Sequence, residues 1–462
     1  MKPENYQRLF GTDGIRARAG DFPLDSATIR TIGASLARHL AERTGGRSPR
    51  IVTGRDTRES GLAIERDLIA GAASAGAEIE SAGVITTPGV AFLTKALPAD
   101  VGVVISASHN PYQDNGIKVF EPTGRKLADA TERLIESDVA ENRFADLPAA
   151  DQLSTSEERA SELRRRYLDY LQHDVAHDLS LAGLKIVVDC ANGAASEIAP
   201  ELFANLGADV VAINNQPNGR NINLDCGSLH IEALQARVRA ERADVGVAFD
   251  GDADRALFVD AEGTFVDGDA TLWVLANYLR SRNELRGQVV VATVMTNLGL
   301  EVALRQQGIQ LVRTSVGDKY VLDELLKRDA TLGGEQSGHI IFPNISLAGD
   351  GIVTAINLLT VMKDEGKPLG ELTQGFNVYP QILLNVRVRE KVPFENLPAV
   401  QEMASQIERS LGARGRLLLR YSGTEPLARV MIEGEDEAQV RTHAQRLADM
   451  IRAEIRGSDA VD

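Results

Sequence analysis

The feature that most constrains the fold of this chain is a repeat. The pentapeptide ADVGV occurs at Ala99–Val103 and again at Ala243–Val247. Each copy opens an apolar run typical of a buried strand, and each follows a β-branched run, a turn and a helical pattern. The first copy continues into ISASHNP and the second into AFDGDADR, so that Ser108 and Asp252 stand at the same offset. Because a repeated unit fixes the architecture, we predict similar α/β units that each deliver one special loop.

A third stretch shows the same alternation of strand and helix patterns, from QVVVATVMTNLGL to DATLGGEQSGHII. Three similar α/β domains are therefore expected, with mixed, mostly parallel sheets and an opposite-running strand at the edge. From about Pro368 the pattern changes to strands around a helical segment, which predicts a smaller C-terminal α+β domain. The predicted domains are residues 1–156, 157–258, 259–368 and 369–462.

Composition excludes several classes of partner. The 462 residues carry a net charge of −16, which disfavours nucleic acid and anionic membranes but leaves room for a local basic pocket. The two cysteines, Cys190 and Cys226, have no metal-like spacing, and no apolar run is long enough to span a bilayer. We expect a cytoplasmic protein, either a monomer or a homodimer, and its charge still allows a pocket for a small phosphorylated molecule.

The acidic run of Asp250, Asp252 and Asp254 follows an apolar strand and crowds three carboxylates into five residues. Such close carboxylates repel one another, and a hard cation such as Mg²⁺ stabilises them. A solvated turn is the alternative interpretation. An EF-hand is excluded, because its sixth position needs glycine but is Arg255, and its twelfth needs glutamate but is Ala261. The run therefore predicts a metal site at a strand end.

The segment ISASHNPYQDNGIKVF places a serine, Ser108, at the end of the other repeated strand. His109 and Lys118 supply positive charge or proton transfer near it. A Ser-His-Asp hydrolase is disfavoured because the chain shows no G-x-S-x-G elbow, and because we do not expect an adjacent histidine to face its neighbour's hydroxyl. A plain Asn-Pro turn is the other interpretation.

Two further loops carry groups that suit a sugar phosphate. RYSGTEPLARVMIEG offers cationic forks, hydroxyls and backbone N–H groups to a phosphate, although an ordinary hairpin with surface arginines is the alternative. GGEQSGHI adds acceptors and donors suited to sugar hydroxyls. Two other cations, Arg16 and Lys319, are either anion contacts or surface charges. The groups in the two loops are Arg420, Ser422, Gly423, Thr424 and Arg429, then Glu335, Ser337 and His339.

Five motifs, FGTDGIR, ISASHNP, DGDADR, GGEQSGH and RYSGTEP, follow one another along the chain. With these motifs in this order, essentially the whole chain resembles the α-D-phosphohexomutases. The resemblance is closest to the bacterial members that act on glucosamine phosphate, because Gln336 stands in GGEQSGH. It implies three similar α/β domains and a smaller fourth domain around a central cleft, with the fourth domain closing over ligand.

The resemblance implies that Ser108, rather than Ser106, is carried as phosphoserine. It implies that Mg²⁺ is held by a phosphoserine oxygen and by Asp250, Asp252 and Asp254. The phosphoserine would convert glucosamine 6-phosphate through a hexosamine 1,6-bisphosphate, which is intermediate and activator, into the 1-phosphate. This intramolecular phosphotransfer would supply the synthesis of UDP-N-acetylglucosamine and cell-wall precursors.

By the same resemblance, Glu335 and Ser337 would hold the sugar hydroxyls, and the RYSGTEP loop would hold the phosphate that is not reacting. Six residues would supply charge or proton transfer near the reacting end: Arg16, His109, Lys118, Arg255, Lys319 and His339. The general base stays open among His109, Lys118 and His339.

Three alternatives remain at this stage. A phosphomannomutase/phosphoglucomutase would use the same machinery on another sugar. An aspartyl phosphotransferase or phosphatase would use Asp250 as its nucleophile. A catalytically silent sugar-phosphate-binding protein would keep the loops without turnover.

Overall fold

The computed structural model describes residues 8–11, 13–144, 155–422 and 426–455. The chain divides into two compact units, Met1–Met295 with Leu311–Gln374, and Thr296–Gln310 with Gly375–Asp462. Within the described ranges, no helix combines the length and apolar character that crossing a membrane requires.

The first sheet of the larger unit has five strands in the order β1-β5-β4-β2-β3. Strands β2, β3 and β4 are parallel, whereas β5 runs antiparallel to both of its neighbours. Helix α1 begins after Asp25, whose carboxylate accepts a hydrogen bond from Thr28 N at 3.0 Å. The elements are β1 Ile15–Arg18, α1 Ser26–Arg43, β2 Arg50–Arg55, α2 Gly61–Ser74, β3 Glu78–Val84, α3 Thr87–Ala96, β4 Val101–Ile105, β5 Asp114–Phe120 and α4 Asp129–Ala140.

The second sheet repeats this arrangement as β10-β9-β8-β6-β7. Strands β6, β7 and β8 are parallel, and β9 runs antiparallel to β8 and β10. A π-helical segment, Leu171–Val175, extends the first helix. The elements are α5 Glu157–Tyr170, β6 Lys185–Asp189, α6 Ile198–Asn205, β7 Asp209–Ile213, α7 Glu232–Glu241, β8 Val245–Phe249, β9 Ala256–Asp260 and β10 Phe265–Val266.

The third sheet has the order β12-β11-β13-β14, which matches four strands of the other two sheets. Strand β13 is parallel to β11 and antiparallel to β14. The opposite-running strand is thus at the edge here, as expected, but is an interior strand in the first two sheets, because β1 and β10 pair beyond it. The elements are α8 Gly268–Ser281, β11 Val289–Thr293, α9 Leu298–Gln306, β12 Gln310–Thr314, α10 Asp318–Arg328, β13 Gly333–Gly334, β14 Ile340–Ile341, α11 Gly351–Glu365 and α12 Leu369–Leu372.

The glycine of each ADVGV copy has the same packing role. A Cβ on Gly102 would lie 2.1 Å from Thr94 Oγ1 of α3, and a Cβ on Gly246 would lie 2.6 Å from Val238 Cγ2 of α7. A side chain at either position would push the covering helix away from the sheet. The glycine of the repeated pentapeptide therefore allows the same close contact between a helix and a strand in both domains.

The smaller unit has a three-stranded antiparallel sheet in the order β15-β17-β16, together with α9 and two further helices. Val386, Val430 and Leu447 lie in its apolar core. The α+β character predicted for the C-terminal region is confirmed. The elements are β15 Gln381–Arg387, α13 Pro398–Leu411, β16 Gly415–Tyr421, β17 Leu427–Gly434 and α14 Glu437–Glu454.

Candidate active site

The loop after β4 turns sharply at Ser108, which is buried and has a left-handed φ of 52°. Its backbone N–H donates to Ser106 Oγ at 2.9 Å, and that hydroxyl donates to Asp56 Oδ2 at 2.6 Å. Ser106 therefore stabilises the turn, and its hydroxyl is committed to Asp56. This geometry favours Ser108 over Ser106 as the reactive serine.

The Ser108 hydroxyl donates to Asp250 Oδ2 at 2.6 Å, which joins the first sheet's loop to the acidic loop after β8. His109 Nδ1 also lies 3.3 Å from Ser108 Oγ. The expectation that His109 would not face its neighbour's hydroxyl is wrong, because the left-handed turn at Ser108 brings both side chains to one side. The Ser108 hydroxyl nevertheless donates its shorter hydrogen bond to Asp250.

The three aspartates are all buried, and one ligand oxygen from each lies within 4.8 Å of the others. Burial, followed by the charges of Asp254 and Asp252, raises the pKa of Asp250 well above its ordinary value. The mutual repulsion of the three carboxylates therefore favours a bound cation, or a proton on Asp250.

Two oxygens of the cluster support a cation directly. Asp252 Oδ1 and Asp254 Oδ1 are buried and have no hydrogen-bond partner among the described residues. Leaving buried acceptors unpaired is costly, whereas a divalent ion with oxygen ligands would satisfy both. The donor set therefore fits a hard divalent metal ion.

Lys118, on β5, contacts this cluster. Its Nζ is 2.8 Å from Asp252 Oδ2, 3.1 Å from Asp13 Oδ2 and 3.5 Å from Asp254 Oδ2. Burial alone would lower the pKa of Lys118, but these three carboxylates outweigh it and hold the pKa well above its ordinary value. Lys118 is therefore a fixed cation.

The three candidates for the general base differ in charge. Burial would lower the pKa of His339, yet Asp254 raises it to about 9, so this imidazole is cationic at neutral pH. Burial and the Arg255 charge lower the pKa of His109 to about 4. Arg255 Nη1 donates to His109 Nδ1 at 3.1 Å, which requires an unprotonated Nδ1. With Lys118 cationic as well, His109 is the uncharged group of the three at neutral pH.

Asp13 was missed by the sequence analysis although it lies within FGTDGIR. It forms an ion pair with Arg16 of β1, and its Oδ1 lies 2.7 Å from Lys126 Nζ. Arg16 Nη1 also reaches Asn110 Oδ1 at 3.5 Å. Burial would raise the pKa of Asp13, but Lys118, Lys126 and Arg16 hold it well below its ordinary value. Asp13 thus orders the cations around the Ser108 loop.

The GGEQSGH loop forms the turn between β13 and β14. Glu335 Oε1 accepts from Gly317 N at 3.1 Å, and Ser337 is half-buried. His339 Nδ1 lies 3.7 Å from Asp254 Oδ1, which brings this loop to the acidic cluster. The Nζ of Lys319 pairs with Asp129 on the surface.

A cavity of about 230 Å³ lies beside the acidic cluster. The residues that line it include Asp254, His339, Lys126, Asp318 and Lys319. Lys126 Nζ pairs with Asp318 Oδ2 at 2.6 Å. The larger unit thus brings together the serine loop, the acidic loop and the GGEQSGH loop, as the repeated strand ends predicted.

In the smaller unit, Arg420 of β16 lies directly opposite Arg429 of β17. Burial and the Arg429 charge lower the pKa of Arg420. Like charges opposite each other destabilise a sheet unless an anion lies between them. The pair therefore favours anion binding.

The adjoining loop begins at Ser422, which is buried, and Lys391 Nζ donates to Ser422 O at 2.7 Å. Lys391 is a cation that the sequence analysis missed, since it lies outside the motif. Gly423 and Thr424, which the sequence analysis assigned to this loop, lie outside the described residues.

Four models of one family match the chain in order. They are described as Phosphoglucomutase/phosphomannomutase, namely alpha/beta/alpha domain I at residues 7–146, domain II at 165–263, domain III at 267–379 and the C-terminal domain at 383–450. The chain belongs to the phosphoglucomutase/phosphomannomutase family.

Curated relatives span nearly the full length. The phosphoglucosamine mutase of Solibacter usitatus is 51% identical over 97% of this chain and 99% of that protein. The phosphoglucosamine mutase of Desulfovibrio desulfuricans is 46% identical over 97% of this chain and 99% of that protein. The crystal structure of a phosphoglucomutase/phosphomannomutase family protein from Burkholderia thailandensis has a TM-score of 0.79, with 24% identity and 98% of each chain covered. The last comparison supports the fold.

Proposed function

We propose that this protein is a phosphoglucosamine mutase, which interconverts glucosamine 6-phosphate and glucosamine 1-phosphate through a phosphoserine at Ser108. The observation that carries the proposal is the Ser108 hydroxyl, 2.6 Å from Asp250 and beside two carboxylate oxygens without donors. Full-length relatives with this name support the choice of sugar.

Asp250, Asp252, Asp254 and an oxygen of the phosphorylated Ser108 would hold Mg²⁺. When bound, the ion would supply neutralisation of the negative charge on the phosphoryl group. Lys118 and Arg255 add fixed positive charge beside Asp252 and Asp254. This combination of a metal ion and fixed cations is suited to phosphoryl transfer, which depends mainly on positioning and electrostatic stabilisation.

In the transfer step, a sugar hydroxyl oxygen bonds to phosphorus as the bond from phosphorus to Ser108 Oγ breaks. We propose the uncharged His109, next to Ser108, as the group that accepts the hydroxyl proton, and this proton then passes to Ser108 Oγ. The sugar then carries phosphates at both ends. The reverse reaction with the other phosphate regenerates phosphoserine and releases the isomer.

The remaining residues would orient the sugar in its two directions. Glu335 and Ser337 would bind the hydroxyls, and Arg16, Lys319 and His339 would contribute charge near the reacting end. In the smaller unit, the Arg420 and Arg429 pair with Ser422 would bind the phosphate that does not react, together with Gly423 and Thr424.

The decisive assay offers glucosamine, glucose and mannose 6-phosphates separately, with Mg²⁺ and glucose 1,6-bisphosphate. We expect the highest kcat/KM for glucosamine 6-phosphate and strong loss of turnover when Mg²⁺ is chelated. A higher kcat/KM for glucose or mannose would favour the phosphomannomutase/phosphoglucomutase alternative. Radiolabelled phosphate on Asp250 instead of Ser108 would favour the aspartyl phosphotransferase, and binding without turnover would favour a silent binding protein.

A further inference from the structure

We propose that Asn223 and Arg58 form a clamp on the backbone of the Ser108 loop and act as positioning residues for the reactive hydroxyl. The two side chains donate to the same two carbonyl oxygens. Arg58 Nη2 lies 2.8 Å from Ser108 O and 2.9 Å from Asn110 O. Asn223 Nδ2 lies 2.9 Å and 3.1 Å from these oxygens. The catalytic consequence of the clamp rests on the proposed function.

Arg58 approaches from the first sheet, just after β2, and its side chain is fully buried. Its Nε donates to Asp56 Oδ2 at 2.9 Å, and its Nη1 donates to Pro111 O at 2.5 Å. Asp56 also accepts a hydrogen bond from the Ser106 hydroxyl, so it links Arg58 to Ser106, and both of these residues contact the Ser108 loop. A planar guanidinium with several donors is suited to holding three carbonyls at once.

Asn223 approaches from the second sheet, on the connection after β7. It has a left-handed φ of 56°, and its backbone N–H donates to Ala191 O at 2.9 Å. The same connection reaches the first sheet through the Arg220–Glu59 ion pair at 2.6 Å. The clamp is therefore assembled from two domains, which explains why no local sequence pattern reveals it.

The acidic loop packs against this clamp. A Cβ on Gly251 would lie 2.6 Å from Ser108 O and 2.9 Å from Asn223 Nδ2. The glycine between Asp250 and Asp252 is thus required by close approach to the clamped carbonyl. The clamp fixes the distance between the serine backbone and the acidic loop.

A left-handed serine is disfavoured and persists only where its surroundings define it, as is common at functional sites. Four hydrogen bonds from the clamp to the two carbonyl oxygens hold the backbone of the loop in this conformation. They keep Ser108 Oγ directed at Asp250. Loss of one clamp member should misplace the hydroxyl without removing any group that touches the sugar phosphate.

The test uses Asn223→Gly, which removes the amide but keeps the left-handed backbone available, and Asn223→Asp, which keeps the shape. We expect kcat to fall about 100-fold, as a misplacement near 1 Å can cause, with KM for glucosamine 6-phosphate changed less than about threefold. Arg220→Ala, an exposed residue of the same connection, serves as the control with parental kcat. A kcat within about twofold of the parent in both Asn223 variants overturns the clamp.

Hydrogen exchange separates this result from the proposed function. In Asn223→Gly, the amides of the Ser108 loop should exchange at least about tenfold faster than in the parent, and Arg220→Ala should match the parent. If Asn223→Gly exchanges faster than the parent but the parent turns over no sugar phosphate, the proposed function fails and the clamp stands. Unchanged exchange, with mutase activity intact, would sink the clamp alone.

Discussion

Ser108 and Asp250 lie on loops from different sheets, yet Ser108 Oγ and Asp250 Oδ2 are 2.6 Å apart. The buried carboxyl has a raised pKa, mainly because it is desolvated and next to Asp254 and Asp252. In the proposed function, this hydroxyl oxygen is the atom that gains and loses the phosphoryl group.

Ser108→Ala should abolish labelling by radiolabelled glucose 1,6-bisphosphate and lower kcat at least about 1,000-fold, because the phosphoryl acceptor is lost. Ser106→Ala is the matched control, since its hydroxyl bonds only to the turn and Asp56. It should retain labelling with a smaller loss of kcat. Labelling that survives in Ser108→Ala but disappears in Ser106→Ala would reverse the assignment.

Asp252→Asn should lower the rate of phosphoryl transfer about 100-fold or more while changing the Kd of the sugar phosphate less than about threefold. The carboxylate contributes to the cation site and to the charge around Lys118, but its proposed role does not include contact with the sugar. Single-turnover kinetics and calorimetric titration measure the two quantities. Equal losses in both would contradict a role confined to the transfer step.

The pH dependence of kcat should have no acid limb near pH 6.5. His109 must be neutral to accept a proton, and burial with Arg255 lowers its pKa to about 4, so it remains a base as the pH falls through 6. Turnover attributable to His109 should therefore decline only near pH 4. His109→Gln should lose most of the turnover rate at every pH. A fall in kcat below pH 6.5 in the parent enzyme would argue for a different base.

Asp350 should make the larger unit less stable as the pH rises. It caps α11 and accepts the Tyr167 hydroxyl at 2.6 Å. Burial raises its pKa to about 6 from an ordinary 3.8, although these hydrogen bonds act in the opposite direction. The folded state holds the proton more tightly, so stability is gained below pH 4 and lost by pH 7, by roughly 3 kcal/mol.

Thermal melts between pH 4 and pH 7 test this dependence. Asp350→Asn should flatten it, because the amide cannot ionise, whereas Asp436→Asn, at the exposed cap of α14, should keep the parental slope. A parental slope in Asp350→Asn would assign the dependence to other groups.

Phosphate should stabilise the smaller unit through the opposed Arg420 and Arg429 side chains, since an anion relieves their repulsion. Arg420→Ala should remove most of the phosphate-induced rise in Tm and raise KM about tenfold or more. Arg414→Ala, an exposed arginine of the same unit, should change neither. An equal response in both variants would indicate non-specific charge screening.

The sequence predicted the sheets and the three loops of the larger unit because burial periodicity and turn chemistry are local properties. Gly102 and Gly246 were visible as a repeat, although only packing explains them. Arg58 and Asn223 escaped detection because their partners are backbone carbonyls, which leave no side-chain pattern in sequence. The orientation of His109 depended on the left-handed turn at Ser108, which residue types did not specify.

Strands β1 and β10 occupy the same outer position of their sheets, but β1 precedes the rest of its domain and β10 follows it. The common module is therefore the four-stranded order that all three sheets share, and the first two sheets each carry one further strand, which comes from opposite ends of the two domains. In the first copy that addition carries Arg16 toward the serine loop. The two domains therefore differ in the strand attached to the shared module as well as in the loops that the module carries.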